Sequence, residues 1–192
     1  MAAVRWIVLS ALLALSACGV TRNGPPPPGS TDDIAGLSAA ILRLSPSVDP
    51  AEANRAAQIA YRYTHELAIA YQITDPPLVH NAKVNSGKRA RGLCWHWAED
   101  MEQRLKAENF ATLDLHRAIA NGDNALLIDH STAVISAAGA PMQAGIVLDP
   151  WRKGGVLFWS TVAQDRRYDW EERETVMRRY GKVRYVRAGM AE

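Results

Sequence analysis

The chain has 192 residues, 48% of them hydrophobic, with 22 Lys+Arg against 20 Asp+Glu. That near balance gives no net basic excess of the kind on which nucleic-acid binding depends. The length suits one well-buried core, and no internal repeat subdivides it.

In chain order, the first feature is an export signal. Arg5 charges the start of the chain, and residues 6–17 form an apolar run too short for a comfortable transmembrane helix. The run ends in Leu15-Ser16-Ala17-Cys18, which resembles the lipobox of bacterial lipoproteins. The resemblance implies cleavage before Cys18 and acylation of its sulfur (typically with palmitate) and its amine. Each buried methylene contributes about 0.8 kcal/mol, so multiple acyl chains would hold a domain firmly at a membrane surface. Gly19, rather than an aspartate, follows Cys18, and by the sorting pattern of such lipoproteins this implies the outer membrane, facing the periplasm. An ordinary secretory signal and an uncleaved helix are the alternatives; the small residues before Cys18 and the proline-rich stretch after it favour the lipoprotein. On this reading residues 1–17 are the signal peptide, and residues 18–31 are the acylated cysteine and a stiff tether built on Gly24-Pro25-Pro26-Pro27-Pro28-Gly29. Residues 32–192 are a single domain; removing residues 1–17 leaves 21 Lys+Arg against 20 Asp+Glu in the rest of the chain.

Within that domain a short helix is expected over residues 32–44. Asp49-Pro50-Ala51-Glu52 then reads as an N-cap, a first-turn proline and a reciprocal acidic cap. They open a helix to about residue 73, with Ala56, Ile59, Ala60, Tyr63, Leu67 and Tyr71 as its apolar stripe. Thr74-Asp75-Pro76-Pro77 stops it, and residues 80–92 read as a polar loop. The next helix spans residues 93–108, with Cys94, Ala98, Met101 and Leu105 on its core face and His96, Glu99, Asp100 and Gln103 on another. Cys94 therefore sits in a first turn, where free amide N–H groups and the helix dipole favour a thiolate.

The period then changes to two. Leu113, Leu115 and Ile119 alternate with polar residues in a first strand, Asn121-Gly122-Asp123-Asn124 turns the chain, and a second strand is expected over residues 125–137. In it Leu126, Ile128, His130, Thr132 and Val134 share a face. A third strand over residues 143–149 places Gly145, Val147 and Asp149 together. Residues 169–180 read as a short amphipathic helix closed by Gly181, and residues 183–186 as a last edge strand. Helices first and an antiparallel meander afterwards is an α+β pattern. If strands two and three pair symmetrically about the loop Ala138-Gly139-Ala140-Pro141, His130 falls directly opposite Asp149. A slip of one residue would separate them.

With Cys18 acylated, Cys94 has no disulfide partner in an oxidising compartment, so it is either a small buried residue or a reactive one. A cysteine at a helix N-terminus, a histidine on one strand and an aspartate on the next is the set required by thiol acyl-transfer chemistry. Cys94 would attack a carbonyl carbon, His130 would protonate the leaving amine, and Asp149 would orient the imidazole. The Cys94 amide could donate to the oxyanion, with Asn81 and Asn85 as candidates for a second donor.

The segments Arg91-Gly92-Leu93-Cys94-Trp95-His96-Trp97-Ala98, Asp129-His130-Ser131-Thr132-Ala133-Val134 and Gly145-Ile146-Val147-Leu148-Asp149-Pro150-Trp151 resemble the core motifs of bacterial transglutaminase-like cysteine proteins. That superfamily has a papain-like core. The gaps of 36 and 19 residues between Cys94, His130 and Asp149 are also similar. The resemblance implies a cysteine peptidase or amidase acting on an envelope protein or peptide, with no cofactor. A catalytically silent binding or scaffolding module and an amine acyltransferase using the same triad are the alternatives. Ser131-Thr132-Ala133 departs from the aromatic-rich strand usual after the histidine in that family.

The remaining candidates have plainer readings. His96, two residues from Cys94, points about 200° away and is not the base. Cys94, His96 and Asp100 lie on different faces, so no metal site is expected. His116 reads as solvated or locally hydrogen-bonded. Lys83, Lys88, Arg89 and Arg91 form a basic loop that either attracts an acidic substrate or is simply solvated. Trp95, Trp97, Trp151 and Trp159 read as core and cleft-wall residues.

Overall fold

A computed structural model describes residues 23–124 and 126–181. The expected signal segment, Cys18 and the expected strand at residues 183–186 lie outside the described residues. The protein is α+β. Five helices accompany a five-stranded antiparallel sheet: α1 (Thr31–Leu42), α2 (Pro50–Ala70), α3 (Pro77–Asn85), α4 (Cys94–Lys106), β1 (Leu113–Ala120), β2 (His130–Ala137), β3 (Ile146–Asp149), β4 (Phe158–Thr161), β5 (Glu171–Glu172) and α5 (Arg173–Arg179). The strand order is β4-β3-β2-β1-β5.

The helix starts follow local chemistry. Ser30 Oγ accepts from the Asp33 amide at 3.1 Å, and the Asp33 carboxylate accepts from the Ser30 amide at 2.9 Å, a complete capping box for α1. Asp49 caps α2 by accepting from Ala51 N at 2.7 Å and Glu52 N at 3.0 Å, with Pro50 in the first turn. Glu52 does not return the cap as its spacing suggests. Its carboxylate accepts instead from the amides of Ala111 and Thr112, each at 2.8 Å, and from Thr112 Oγ1. The start of α2 is thereby tied to the approach to β1. Alanines 53, 56, 57 and 60 are fully buried along α2, and their small side chains let α1 and α4 approach closely.

The expected polar loop over residues 80–92 is corrected: its first part continues α3, which Pro77 opens. The expected second strand is shorter than the periodicity suggests, because residues 121–124 and 126–129 belong to a connection and β2 begins only at His130. The C-terminal amphipathic segment is divided into β5, which pairs with β1, and α5. The sequence pattern did not single out β4, which pairs with β3.

Both faces of the central strand are covered, so all eight residues of β2 are buried. Ala133, Ile135 and Ala137 join Leu113, Ile146 and Leu148 against α1, α2 and α4. Val134 joins Ala118, Ala120, Val147, Met142 and Trp170 on the opposite face, under the C-terminal segment. His130 and Asp149 share the parity of Val134 and Val147, and so belong to that second face.

The register between β2 and β3 is Ala133↔Leu148, Val134↔Val147 and Ile135↔Ile146. It is displaced by two residues from the symmetric pairing, because the connection includes a 3-10 turn at Met142–Ala144 before β3 begins. A two-residue slip preserves side-chain parity where a one-residue slip would reverse it. His130 and Asp149 are diagonal rather than direct neighbours, and still face the same way.

Candidate active site

Cys94 occupies the first position of α4, a place prepared by Gly92 and His96. Gly92 has φ +124°, and a Cβ there would lie 2.3 Å from Nε2 of the buried His80. His80 donates from that nitrogen to the Arg91 carbonyl at 3.0 Å, and the Trp97 indole donates to the Gly92 carbonyl at 3.1 Å. Only glycine tolerates both the backbone conformation and the approach of the imidazole.

His96, expected on the polar face, is buried. Its Nδ1 accepts from the amides of Gly92 at 3.1 Å and Leu93 at 3.2 Å, which caps the helix from inside its first turn. Burial, and then the nearby Arg91 charge, hold its pKa below 6.5, consistent with a ring nitrogen acting as acceptor. With those two amides engaged, the Cys94 and Trp95 amides donate to no other described residue. The helix thus presents two free N–H groups beside the sulfur.

The thiol is buried, and its Sγ lies 3.6 Å from the Asp129 carbonyl oxygen. This contact brings the N-terminus of α4 over the end of β2, next to His130. His130 Nε2 is 2.6 Å from Asp149 Oδ2, and both side chains are almost fully buried. Nδ1 has no hydrogen-bond partner among the described residues, so it is the ring nitrogen that remains available. Burial alone would lower the His130 pKa, but the hydrogen bond to Asp149 and then the interaction with Cys94 outweigh it and raise the value from 6.5 to about 9.

Asp149 is held from behind by Arg152. The Arg152 amide donates to Oδ1 at 3.1 Å, and its Nε donates to the same Oδ2 that His130 uses, at 2.9 Å. The two terminal nitrogens of Arg152 form a fork on Asp165, at 3.0 and 2.6 Å. Asp165 also accepts from the Trp170 indole at 2.9 Å. The arginine lies over the rings of Phe158 and Tyr168, and Trp151, Tyr168 and Trp170 surround the His130 imidazole at centroid distances of 4.7, 4.6 and 5.4 Å. Sequence reasoning missed Arg152, Asp165, Tyr168 and Trp170. Their signal was one arginine three residues after Asp149 and the run Asp165-Arg166-Arg167-Tyr168-Asp169-Trp170, whose end falls inside the amphipathic helix expected over residues 169–180.

An open cleft of about 800 Å³ reaches His130. Pro76, Leu78 and Val79 line one side, residues 126–129 the other, and Trp151 and Tyr168 the floor. Asn81 accepts from the Trp151 indole at 3.0 Å and so fixes the floor, leaving its amide nitrogen as a donor. Asn85 is exposed on the last turn of α3 and does not line the cleft. None of the four residues of the basic loop lines it either. Lys83 pairs with Asp75 at 2.6 Å and Arg91 with Asp100 at 2.7 Å, so those two brace the scaffold. His116 is 2.9 Å from Ser136 Oγ and lies near Glu172, a local arrangement remote from the thiol. Among the tryptophans, Trp97 is core, Trp95 is half exposed beside His96, and Trp159 donates to Tyr61.

Fold and site together define an α+β protein with a buried cysteine, histidine and aspartate converging at the end of its central strand. No family model, curated protein or solved structure matches the chain.

Proposed function

We propose that this protein is a thiol hydrolase of transglutaminase-like fold that cleaves an amide bond in a peptide or protein of the cell envelope. The supporting observation is the His130 imidazole. One nitrogen bonds to Asp149 at 2.6 Å, the other is left for Cys94, and the ring remains protonated up to about pH 9. A cationic imidazole beside a sulfur at a helix N-terminus is the arrangement of a thiol nucleophile with its proton donor in place.

The sulfur attacks the amide carbonyl carbon, and the Cys94 amide, with that of Trp95 beside it, donates to the oxygen as it becomes anionic. His130 gives its Nδ1 proton to the leaving nitrogen, the C–N bond breaks, and a thioester remains. His130, now neutral, takes a proton from water as the water attacks the thioester. The carboxylic acid leaves and the thiolate–imidazolium pair is restored. Asp149 holds the ring in position and stabilises its charged form throughout. Attachment to the outer membrane through acylated Cys18, with the domain facing the periplasm, completes the proposal.

A second reading rests on the burial of Cys94, which is only 8% exposed and does not line the cleft. On that reading the fold persists as a silent binding module. The rate of Cys94 alkylation by iodoacetamide as a function of pH separates the two. Fast labelling well below pH 8, lost in His130→Ala, is expected of the hydrolase; slow labelling in both proteins favours the silent module. Turnover by Cys94→Ala would overturn the mechanism. Incorporation of an amine in place of net hydrolysis would assign the same triad to acyl transfer.

A further inference from the structure

The connection between β1 and β2 exposes three consecutive apolar side chains, Leu126 at 94%, Leu127 at 53% and Ile128 at 61%. Its backbone is nevertheless built: the Asn121 side chain donates to the Ile128 carbonyl at 3.1 Å, Leu126 N donates to Asn124 Oδ1 at 3.0 Å, and Tyr180 bonds to the Gly122 carbonyl. Across the cleft, Leu78 at 59% and Val79 at 44% are exposed as well. Five large apolar groups on two elements therefore face one cleft whose floor includes His130. Such a cluster, held open to water beside a reactive centre, marks a binding site rather than scattered surface residues.

Besides His130, the same cleft is lined by three charged side chains, Asp129, Arg152 and Arg167. Arg152 is consumed by Asp149 and Asp165, and the Asp129 carboxylate accepts from the Tyr180 hydroxyl at 3.3 Å, whereas the Arg167 guanidinium makes no ion pair among the described residues and lies over the Tyr168 ring. An apolar wall with one free guanidinium complements an apolar group next to an anion.

Resting on the hydrolase reading, we propose that the cleft selects peptide segments in which a bulky apolar side chain adjoins a carboxylate. The wall formed by Leu126, Leu127 and Ile128 takes the side chain, and Arg167 takes the carboxylate. The preference comes from desolvating the apolar group, so it is independent of the thiol chemistry.

Binding is tested first without chemistry, in the full chain carrying Cys94→Ser, by NMR titration with N-acetyl-phenylalanine followed at the Trp151 indole N–H. A saturable shift is expected. It should weaken about tenfold in Leu126→Ser/Ile128→Ser, whose replaced side chains are exposed and do not support the fold, and weaken at high salt and in Arg167→Gln. The absence of a shift, or equal affinity in all variants, overturns the proposal. Reactivity is read separately by labelling Cys94 with chloroacetyl-phenylalanine, chloroacetyl-phenylalaninamide and chloroacetyl-glycine. In each case the thiolate displaces chloride and forms a thioether. The phenylalanine acid should react about tenfold faster than the glycine acid, and the amide should fall between them. Equal rates in all three overturn the selectivity. Labelling by iodoacetamide that is slow and independent of His130, alongside normal N-acetyl-phenylalanine binding, would defeat the hydrolase reading and leave the cleft assignment standing.

Discussion

Replacing Asp149 with asparagine isolates the electrostatics at the centre of the site. The amide keeps the size of the carboxylate and can still accept from Arg152, but it removes one of two negative charges that balance Arg152 and the imidazolium. An ordinary imidazole titrates near 6.5, whereas His130 titrates near 9. At about 1.4 kcal/mol for each tenfold change in proton affinity, the difference corresponds to about 3 kcal/mol. The folded-state value lies above the unfolded one, so this stabilisation is fully present below pH 6.5 and is lost as pH rises through 9. Between those limits the folded protein holds one more proton than the unfolded chain. Its unfolding free energy should therefore fall with pH relative to that of Asp149→Asn, in which burial and the unbalanced Arg152 charge drive the proton off His130. Urea unfolding of both proteins across pH 6 to 9.5 measures the difference, and an NMR titration of the His130 ring locates the proton. Parallel stability curves, or a wild-type imidazole titrating near 6.5, would refute the reasoning.

Arg152→Met should destabilise the fold by about 3 kcal/mol in chemical denaturation, since it strands the buried Asp165 carboxylate. It should also raise the His130 pKa further, because a cation beside Asp149 is lost, and the same NMR titration tests that sign. Gly92→Ala combines φ +124° with a 2.3 Å approach to His80 and should cost about 3 kcal/mol; adding His80→Ala should recover only the steric part. His96→Ala leaves two amides at the start of α4 without their acceptor and should cost about 1–3 kcal/mol. Because the His96 pKa is lowered in the folded state, its stabilisation is present above pH 6.5 and lost as pH falls through the folded value, so acid unfolding of wild type and variant should converge at low pH.

The Asp49 cap and first-turn proline of α2 and the core face of α4 were legible in the sequence because each depends on contacts within a few residues. So was the shared face of His130 and Asp149. Parity along a strand survives any even error in register, which is why the two residues meet although the symmetric pairing is displaced by two. His96 was misplaced because helical periodicity reports where a side chain points and does not show what the preceding loop has folded beneath it. Glu52 was misassigned for a related reason: a local partner was available, but residues about 60 positions away in the chain bound it more fully.

What the sequence determined by itself was an α+β pattern and three residue types suited to thiol chemistry, since periodicity, caps and motif spacing are local properties of the chain. Only the tertiary structure decided that Arg152 and Asp165 lock Asp149, that Tyr168 and Trp170 close over His130, and that Leu126, Leu127 and Ile128 form a cleft wall instead of a strand. Those outcomes depend on which distant surfaces remain to be covered after the sheet has formed, and burial of that kind is a property of the assembled layers, with no local signature for a sequence to carry.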